Sequence, residues 1–192
     1  VVGHMVGNLQ IYLGPEPLNS YGEFLRHFLH GGGIWIARAG LLAAVGLHIW
    51  AATMLTITNW GARPEGYRQR RNVESTYASR TMVWSGPILA LFVIYHVLDL
   101  TTGTLHPDFI PGDVYHNVVA GFSRWPVSAF YIVAMLALGL HMYHGIWSML
   151  QTLGLNHPHW NRLRTAFAAI ATIIVVAGNI SIPVAVLTGL VR

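Results

Sequence analysis

Long apolar stretches constrain this chain more than any other feature of its sequence. Four of them contain mostly apolar residues over about 20 or more positions, the length that a helix needs to cross a lipid bilayer. A shorter one, "VVGHMVG", opens the sequence. Because the bilayer interior offers no water to backbone polar groups, such segments are expected to be helical. The predicted fold class is an all-α integral membrane protein, with five transmembrane helices in a bundle and the first helix truncated.

The five predicted helices form a single domain over 1–192 and are numbered I to V in chain order. Only 9% of the residues are charged, whereas a soluble domain carries about 25%, so the composition agrees with a membrane location. Helix I is the remnant at about 1–13, and the other four lie at about 35–60, 79–102, 126–153 and 163–190.

The arginines predict the orientation of the chain. All eleven cationic side chains other than histidine are arginine, and seven of them lie in or beside the II–III and IV–V connections, against four elsewhere. Positive charge concentrates in cytoplasmic loops. The N-terminus is therefore predicted to be cytoplasmic and the C-terminus outside. The outer segment "NSYGEFLRHFLHGGG" is predicted to be an interfacial helix.

Histidine is the residue that points to chemistry inside the predicted spans. Helices I, II and III contain His4, His48 and His96, and helix IV contains His141 and His144 in "GLHMYHGIWS". Ionisable residues inside a bilayer are costly and indicate function. One imidazole from each of four helices is what two haems require when histidine ligates both faces of each iron. The alternative is that the rings hydrogen-bond neighbouring helices and are structural.

Depth in the membrane suggests how the rings pair. At about 1.5 Å per residue, His48 and His141 lie at similar distances from the cytoplasmic ends of their helices, while His96 and His4 lie nearer the outside. We therefore predict an outer haem between His4 and His96 and an inner haem between His48 and His141. Small residues beside three of these rings leave room for a macrocycle or for close helix packing: Gly3, Gly7, Ala44, Ala51, Ala52, Ala137 and Gly145.

Four stretches carry a resemblance to a known family: "GHMVGNLQIYLGPEPLNSY", "LHIWAATMLTITNWGARPEGY", "YASRTMVWSGPILALFVIYHVLD" and "LHMYHGIWSMLQTLGLNHP". The chain resembles the membrane-anchor cytochrome b subunit of succinate dehydrogenase and fumarate reductase, in the five-helix, two-haem class. The resemblance implies two haem b groups, with His4 and His96 as axial ligands of the outer iron. It implies that His48 and a histidine of helix IV ligate the inner iron.

The family pattern in helix IV has a histidine, three residues, and then glycine followed by an apolar-aromatic pair. "HMYHGIW" fits this pattern with His141 as the ligand. A ring three positions on points about 60° away, so both rings cannot face one iron equally well. His144 is therefore interpreted as a donor to a haem propionate, a quinone or a backbone carbonyl.

The resemblance also implies partners and a location. A flavoprotein subunit with FAD and an iron–sulphur subunit would dock on the cytoplasmic side, and this chain would exchange electrons with membrane quinone, with menaquinone favoured. The chain has no cysteine, so the clusters must reside in the partner. The expected location is a bacterial inner membrane, as a multi-pass protein that neither contacts nucleic acid nor performs the dicarboxylate chemistry itself. The whole complex is a candidate for a higher oligomer.

Two groups of residues are candidates for a quinone site. Tyr77, Arg80 and Trp84 share one face at the cytoplasmic end of helix III, where membrane anchoring is the alternative role. On the outer side, Arg38 is a candidate partner of a haem propionate or of a quinone, in the group Glu23, Arg26, His30 and Arg38.

One carboxylate lies within the predicted spans. Asp99 follows His96 by one turn and either orients that imidazole or lies at the outer membrane interface, which is the favoured position. Histidines in the connections are interpreted as ordinary polar loop residues: His27, His106, His116, His157 and His159.

The predicted function is membrane anchor and electron carrier of a succinate:quinone oxidoreductase, respiratory complex II. Three alternatives stay open: the anchor of a quinol:fumarate reductase, a di-haem anchor of another dehydrogenase such as a hydrogenase or formate dehydrogenase, and a haem-free transporter or assembly protein.

Overall fold

The computed structural model describes residues 1–62 and 77–192, and helices dominate both ranges. No strand occurs in either range, and the all-α prediction is confirmed. Short 3₁₀ turns lie at Leu9–Leu13 and Pro158–Trp160. The α-helices are α1 (Val2–Asn8), α2 (Pro15–His27), α3 (Gly32–Gly61), α4 (Tyr77–Leu100), α5 (Val114–Ser123), α6 (Trp125–Thr152) and α7 (Asn161–Leu187).

Four helices in the described ranges are long and apolar enough to cross a membrane: α3, α4, α6 and the segment Pro158–Leu187 that contains α7. They occupy the positions of predicted helices II to V, and the ends of α3, α4, α6 and α7 differ from the predicted ends by one to three residues. Helix α1 and the 3₁₀ turn after it occupy the position of predicted helix I.

The chain divides into two compact units, and the division falls within α2. The first unit contains residues 1–21 together with α4 to α7, and the second contains the rest of α2 and α3. One domain over 1–192 stays a prediction. The arginine-rich II–III connection, which was predicted to be cytoplasmic, lies at 63–76, outside the described residues.

In the first unit, α6 is the central helix and packs against both α4 and α7. Gly139 allows the close approach of α6 to α7, because a Cβ at this position would lie 3.0 Å from Val176 Cγ2. The apolar core extends from this interface towards the end of the unit that carries α5. Its buried side chains include Ile11, Leu18, Phe92, Phe122, Tyr131, Met135, Ile182 and Val186.

Helix α5 was not predicted, and hydrogen bonds of Asp113 and Asn19 at its N-terminus explain why it forms. Asp113 caps its N-terminus by accepting a hydrogen bond from the backbone N–H of His116 at 2.9 Å. Asn19 of α2 donates to the same carboxylate at 2.9 Å and accepts from the backbone N–H of Tyr115. These two donors, the His116 N–H first and the Asn19 amide second, hold the pKa of Asp113 below its usual range.

The second unit contains a tight turn before its long helix. The turn between α2 and α3 places Leu29, His30 and Gly31 at positive φ. Helix α3 then begins at Gly32, where the chain can continue because Gly31 adopts the left-handed conformation at little cost. A helix, α2, is present in this part of the sequence; it starts earlier than expected and ends at His27, and its position at the membrane interface stays a prediction.

Candidate functional site

The imidazole rings of His4 and His96 are neighbours in the first unit, in an edge-to-face arrangement. Their centroids lie 5.7 Å apart and their planes are nearly perpendicular, at 84°. His4 comes from α1 and His96 from α4, so two separate helices supply the pair. Among the described residues, no group of three or more His, Cys, Asp or Glu side chains is arranged to hold a metal ion. The local chemistry is therefore that of two neighbouring imidazoles.

Packing of α1 against α7 fixes the position of His4. The buried side chain of Met5 lies against Gly178, where an added Cβ would be 2.5 Å from Met5 Sδ. Tyr12, at the end of the 3₁₀ turn, donates a hydrogen bond to Ser181 Oγ at 2.8 Å. His4 itself is exposed, and Asn8 Nδ2 lies 3.1 Å from its Nε2.

Aromatic side chains surround His96. Phe92, one turn earlier on α4, stacks on the imidazole at a centroid distance of 5.9 Å and an angle of 29°. Tyr131 of α6 meets both rings edge-on, with centroids 5.9 Å from His96 and 5.1 Å from Phe92. Both aromatic partners are buried. The ring of His96 is therefore held by packing from α4 and α6 together.

A buried polar chain continues from His96. Tyr131 Oη lies 3.4 Å from His96 Nδ1 and donates a hydrogen bond to Asp99 Oδ2 at 2.9 Å. The other oxygen, Asp99 Oδ1, lies 3.9 Å from Arg124 Nη2. Asp99 is 0% exposed and lies one residue before the end of α4 at Leu100; its position at the outer membrane interface stays a prediction. Tertiary packing covers this carboxylate, and Tyr131 connects it to the imidazole.

The sequence predictions did not include Tyr131 and Arg124 in this network. The one available signal was the spacing of Asp99, three residues after His96, which places both on one side of α4. Arg124 Nε and Nη2 are buried and have no hydrogen-bond partner among the described residues. The ion pair with Asp99 therefore leaves the hydrogen-bonding capacity of these two donors unused.

His141 of α6 also has a hydroxyl partner on α4. Ser85 Oγ lies 3.1 Å from His141 Nδ1 and donates to the backbone oxygen of Met82 at 3.3 Å. In this contact either the serine hydroxyl or His141 Nδ1–H is the donor, depending on the tautomer of the imidazole. Ser85 is buried. The sequence predictions did not single out Ser85, because the partner of an imidazole on another helix depends on helix rotation.

His144 has different surroundings from His141. Its ring stacks on Trp147 at 6.2 Å and 27°. The guanidinium of Arg164 lies 4.6 Å from the centre of the Trp147 ring, and donates hydrogen bonds to Leu155 O and Asn161 Oδ1. His144 is therefore part of a stack that connects α6 with the start of α7.

The predicted residues of the second unit lie on α3. His48 occupies the middle of this helix, 13 residues before Gly61, which corresponds to about 20 Å of helix. Its pairing with His141 stays a prediction. Arg38 is exposed and its guanidinium lies 4.9 Å from the centre of the Trp35 ring. A contact of Arg38 with a haem propionate also stays a prediction.

The predicted quinone residues lie at the start of α4. Tyr77, Arg80 and Trp84 are all exposed. Tyr77 and Trp84 are 65% and 74% exposed, so apolar and aromatic surface is presented outward in this part of the unit. The helical spacing places the three side chains on roughly one face. Their assignment to quinone stays a prediction.

His106 was interpreted as an ordinary polar loop residue, and this interpretation is wrong. It is buried, and its Nε2 lies 2.9 Å from the backbone oxygen of Asn117 in α5. Asn117 in turn exchanges two hydrogen bonds with the backbone of Ile110. His106 therefore holds the α4–α5 connection against α5.

Comparison with known protein families shows the family of this chain. The family described as the succinate dehydrogenase/fumarate reductase transmembrane subunit matches residues 65–178, more than half of the chain. The chain belongs to this family. No curated protein and no solved structure matches the chain significantly.

Membership of the succinate dehydrogenase/fumarate reductase family agrees with the four apolar helices. The chain is a multi-pass membrane protein and a membrane-anchor subunit that associates with the catalytic subunits of such an enzyme. The matched range contains His96, His141 and the helices α4 to α6 that position them. The alternatives of a transporter or of an anchor for an unrelated dehydrogenase do not agree with this membership.

Proposed function

We propose that this anchor subunit carries electrons between an iron–sulphur subunit and membrane menaquinone, in the direction of succinate oxidation, and that it holds two haem b groups. The observation that carries the proposal is the neighbouring pair of His4 and His96. The family name covers both succinate dehydrogenase and fumarate reductase. The alternative direction, quinol-driven fumarate reduction, therefore remains the second outcome of the test.

The spacing of the two rings fits a pair of axial ligands. A metal–imidazole nitrogen distance is about 2.0 Å, and the ring centre lies roughly 1 Å beyond the nitrogen, so two imidazoles on one iron have centroids about 6 Å apart. The observed separation of His4 and His96 is 5.7 Å. Within the first unit, no atom lies within 4 Å of a Cβ added to Gly3, so this side of His4 has open space.

The hydrogen bonds of the candidate ligands fit the same role. Tyr131 Oη donates its proton to Asp99, so it accepts from His96 Nδ1–H. Ser85 Oγ forms the corresponding contact with His141 Nδ1. Protonation of His96 at Nδ1 leaves its Nε2 lone pair as the ligand atom, which is how outer hydrogen bonds orient metal-binding histidines. Haem, when bound, supplies a reversible one-electron couple of its iron.

His4 requires a local adjustment to act as a ligand. Asn8 Nδ2 donates to His4 Nε2 at 3.1 Å, and that lone pair is the one that would bind iron. The Asn8 side chain lies on the surface side of the short helix α1 and can rotate to solvent or lipid headgroups without disturbing the packing of Met5 against α7. The tautomer of His4 stays the same in both arrangements.

Arg124 is a suitable partner for a haem propionate near the outer pair. Its buried Nε and Nη2 have no hydrogen-bond partner among the described residues, and an unpartnered buried donor is costly. A propionate would satisfy these donors with charge-assisted hydrogen bonds. Arg124 precedes α6 directly, so the helix that carries Tyr131 also positions this cation.

For the inner haem we propose His48 and His141 as ligands, with His144 outside the ligand set. His141 lies 11 residues before the end of α6 at Thr152, about 17 Å, which is close to the corresponding depth of His48 on α3. The stacking of His144 on Trp147 supports a different role for the second histidine. Tyr77, Arg80 and Trp84 remain the proposed quinone contacts.

The test is purification of the complete complex through a tag on this chain. We expect a flavoprotein and an iron–sulphur protein to copurify, b-type absorbance equivalent to two haems per chain, and succinate-dependent reduction of a menaquinone analogue. An intact complex without b-type absorbance would overturn the haem proposal. Fumarate reduction by quinol that is much faster than succinate oxidation would instead establish the reverse direction.

A further inference from the structure

Asp99 is connected to His96 by a polar path through one buried tyrosine. Both residues lie on α4, and Tyr131 of α6 lies between them in the hydrogen-bond chain. Tyr131 is 6% exposed and Asp99 is 0% exposed, so neither group exchanges these bonds with water. The Tyr131 hydroxyl donates its one hydrogen bond to the Asp99 carboxylate and accepts a hydrogen bond from the His96 imidazole.

The charge of this carboxylate is only partly balanced. Asp99 Oδ1 lies 3.9 Å from Arg124 Nη2, which is an ion pair but too long for a strong hydrogen bond. Oδ1 has no hydrogen-bond partner among the described residues. Inside a protein the effective dielectric constant is well below that of water, so a buried charge acts strongly on groups nearby.

We propose that Asp99 is a positioning residue for the outer haem, acting through Tyr131 on His96. The chain fixes the rotation of the His96 ring and makes its Nε2 a more electron-rich donor. An electron-rich ligand and a nearby negative charge both stabilise the oxidised iron relative to the reduced iron, so Asp99 holds the midpoint potential of the outer haem at a more negative value. This inference rests on the proposed function, because it requires a haem at His96.

The inner candidate ligand provides a matched contrast. His141 Nδ1 also meets a hydroxyl on a neighbouring helix, but Ser85 Oγ donates to a backbone carbonyl, Met82 O, instead of a carboxylate. Both contacts therefore join a hydroxyl to an imidazole Nδ1, and they differ in whether the hydroxyl also meets a carboxylate. Ser85→Ala is accordingly the control for Tyr131→Phe.

The experiment is a redox titration of both haems in the purified complex with Asp99→Asn, Tyr131→Phe and Ser85→Ala. Asp99→Asn retains an oxygen acceptor for Tyr131 and removes the charge. We expect it to move the midpoint potential of the outer haem in the positive direction by at least a tenfold change in the oxidised-to-reduced ratio, about 59 mV for one electron. The inner haem should keep its potential.

Tyr131→Phe should also raise the potential of the outer haem, because it removes the acceptor of His96 Nδ1–H. Ser85→Ala should leave the outer potential unchanged. A purely structural role of Asp99 would lower the haem content without moving the potential of the haem that remains. If the Asp99→Asn complex fails to assemble, the outer-haem potential of Tyr131→Phe tests the proposal instead. This variant preserves the ring that packs on Phe92.

Two results overturn different statements. If Asp99→Asn and Tyr131→Phe each retain two haems with wild-type midpoint potentials, the positioning role of Asp99 is overturned. The haem proposal is then intact. A wild-type complex without two b-type haems would overturn the proposed function itself. Electron paramagnetic resonance of the oxidised outer haem gives a second readout, since rotation of the His96 plane changes its g values.

Discussion

Ser85 Oγ lies 3.1 Å from His141 Nδ1, across the interface between α4 and α6. The same interface contains the opposite arrangement, in which Tyr131 of α6 meets His96 Nδ1 of α4. Each helix therefore contributes one imidazole and one hydroxyl that orients the imidazole of the other helix. Both contacts depend on how the two helices are rotated about their axes.

His141→Ala is expected to remove one of two haems, whereas His144→Ala keeps both. His141 has the orienting hydrogen bond of Ser85, and His144 is part of the stack with Trp147 and Arg164. The measurement is the haem-to-protein ratio of each purified variant, by pyridine haemochrome. A loss of haem in the His144 variant alone would show that the two roles are exchanged.

His4→Ala and His96→Ala are each expected to remove the same haem. Their ring centroids lie 5.7 Å apart, so either change takes away one ligand of a shared pair. The double variant should then lose no more haem than each single variant, as judged by reduced-minus-oxidised spectra. His27→Ala, on the exposed surface of α2, is the matched control and should retain both haems. Additive losses in the double variant would contradict the pairing.

Gly139→Val is expected to lower the thermal stability of the protein in detergent. A Cβ at Gly139 would lie 3.0 Å from Val176 Cγ2 and 3.7 Å from Thr172 Cγ2, so the larger side chain forces α6 away from α7. Overpacking of this kind costs about 1–3 kcal/mol. Intrinsic tryptophan fluorescence during heating measures the change. Gly40→Ala on α3, where no atom of the same unit lies within 4 Å of the added Cβ, should not lower the transition temperature.

Asp113 is expected to make the stability of the α5 region depend on pH. Its pKa is below the usual range in the folded protein, so its contribution is fully present above the unfolded pKa of about 3.9 and is lost as pH falls through the lower folded value. Asp113→Asn, which still caps a helix well, should flatten this dependence. Hydrogen exchange of the α5 amides between about pH 3 and pH 6, corrected for intrinsic rates, gives the measurement. Equal pH dependence in both proteins would refute the assignment.

The sequence predicted the helices well and the contacts between them poorly. The four long spans follow from local apolar composition, which is why the ends of α3, α4, α6 and α7 lie close to the predicted positions. Helix α5 was missed because its N-cap depends partly on Asn19, which is 94 residues away from Asp113 in the chain. The burial of Asp99 was not predicted, because it depends on Tyr131 and Arg124 from a different part of the chain.

The sequence alone determined that this chain crosses a membrane, that five of its eleven histidines lie within predicted spans, and which predicted helices carry them. These properties depend on composition and spacing along one segment. Only the tertiary structure brought His4 to His96 and supplied hydroxyl partners for His96 and His141. These contacts depend on how the helices are rotated and packed against one another, and the close approach at Gly139 and Gly178 decides that packing.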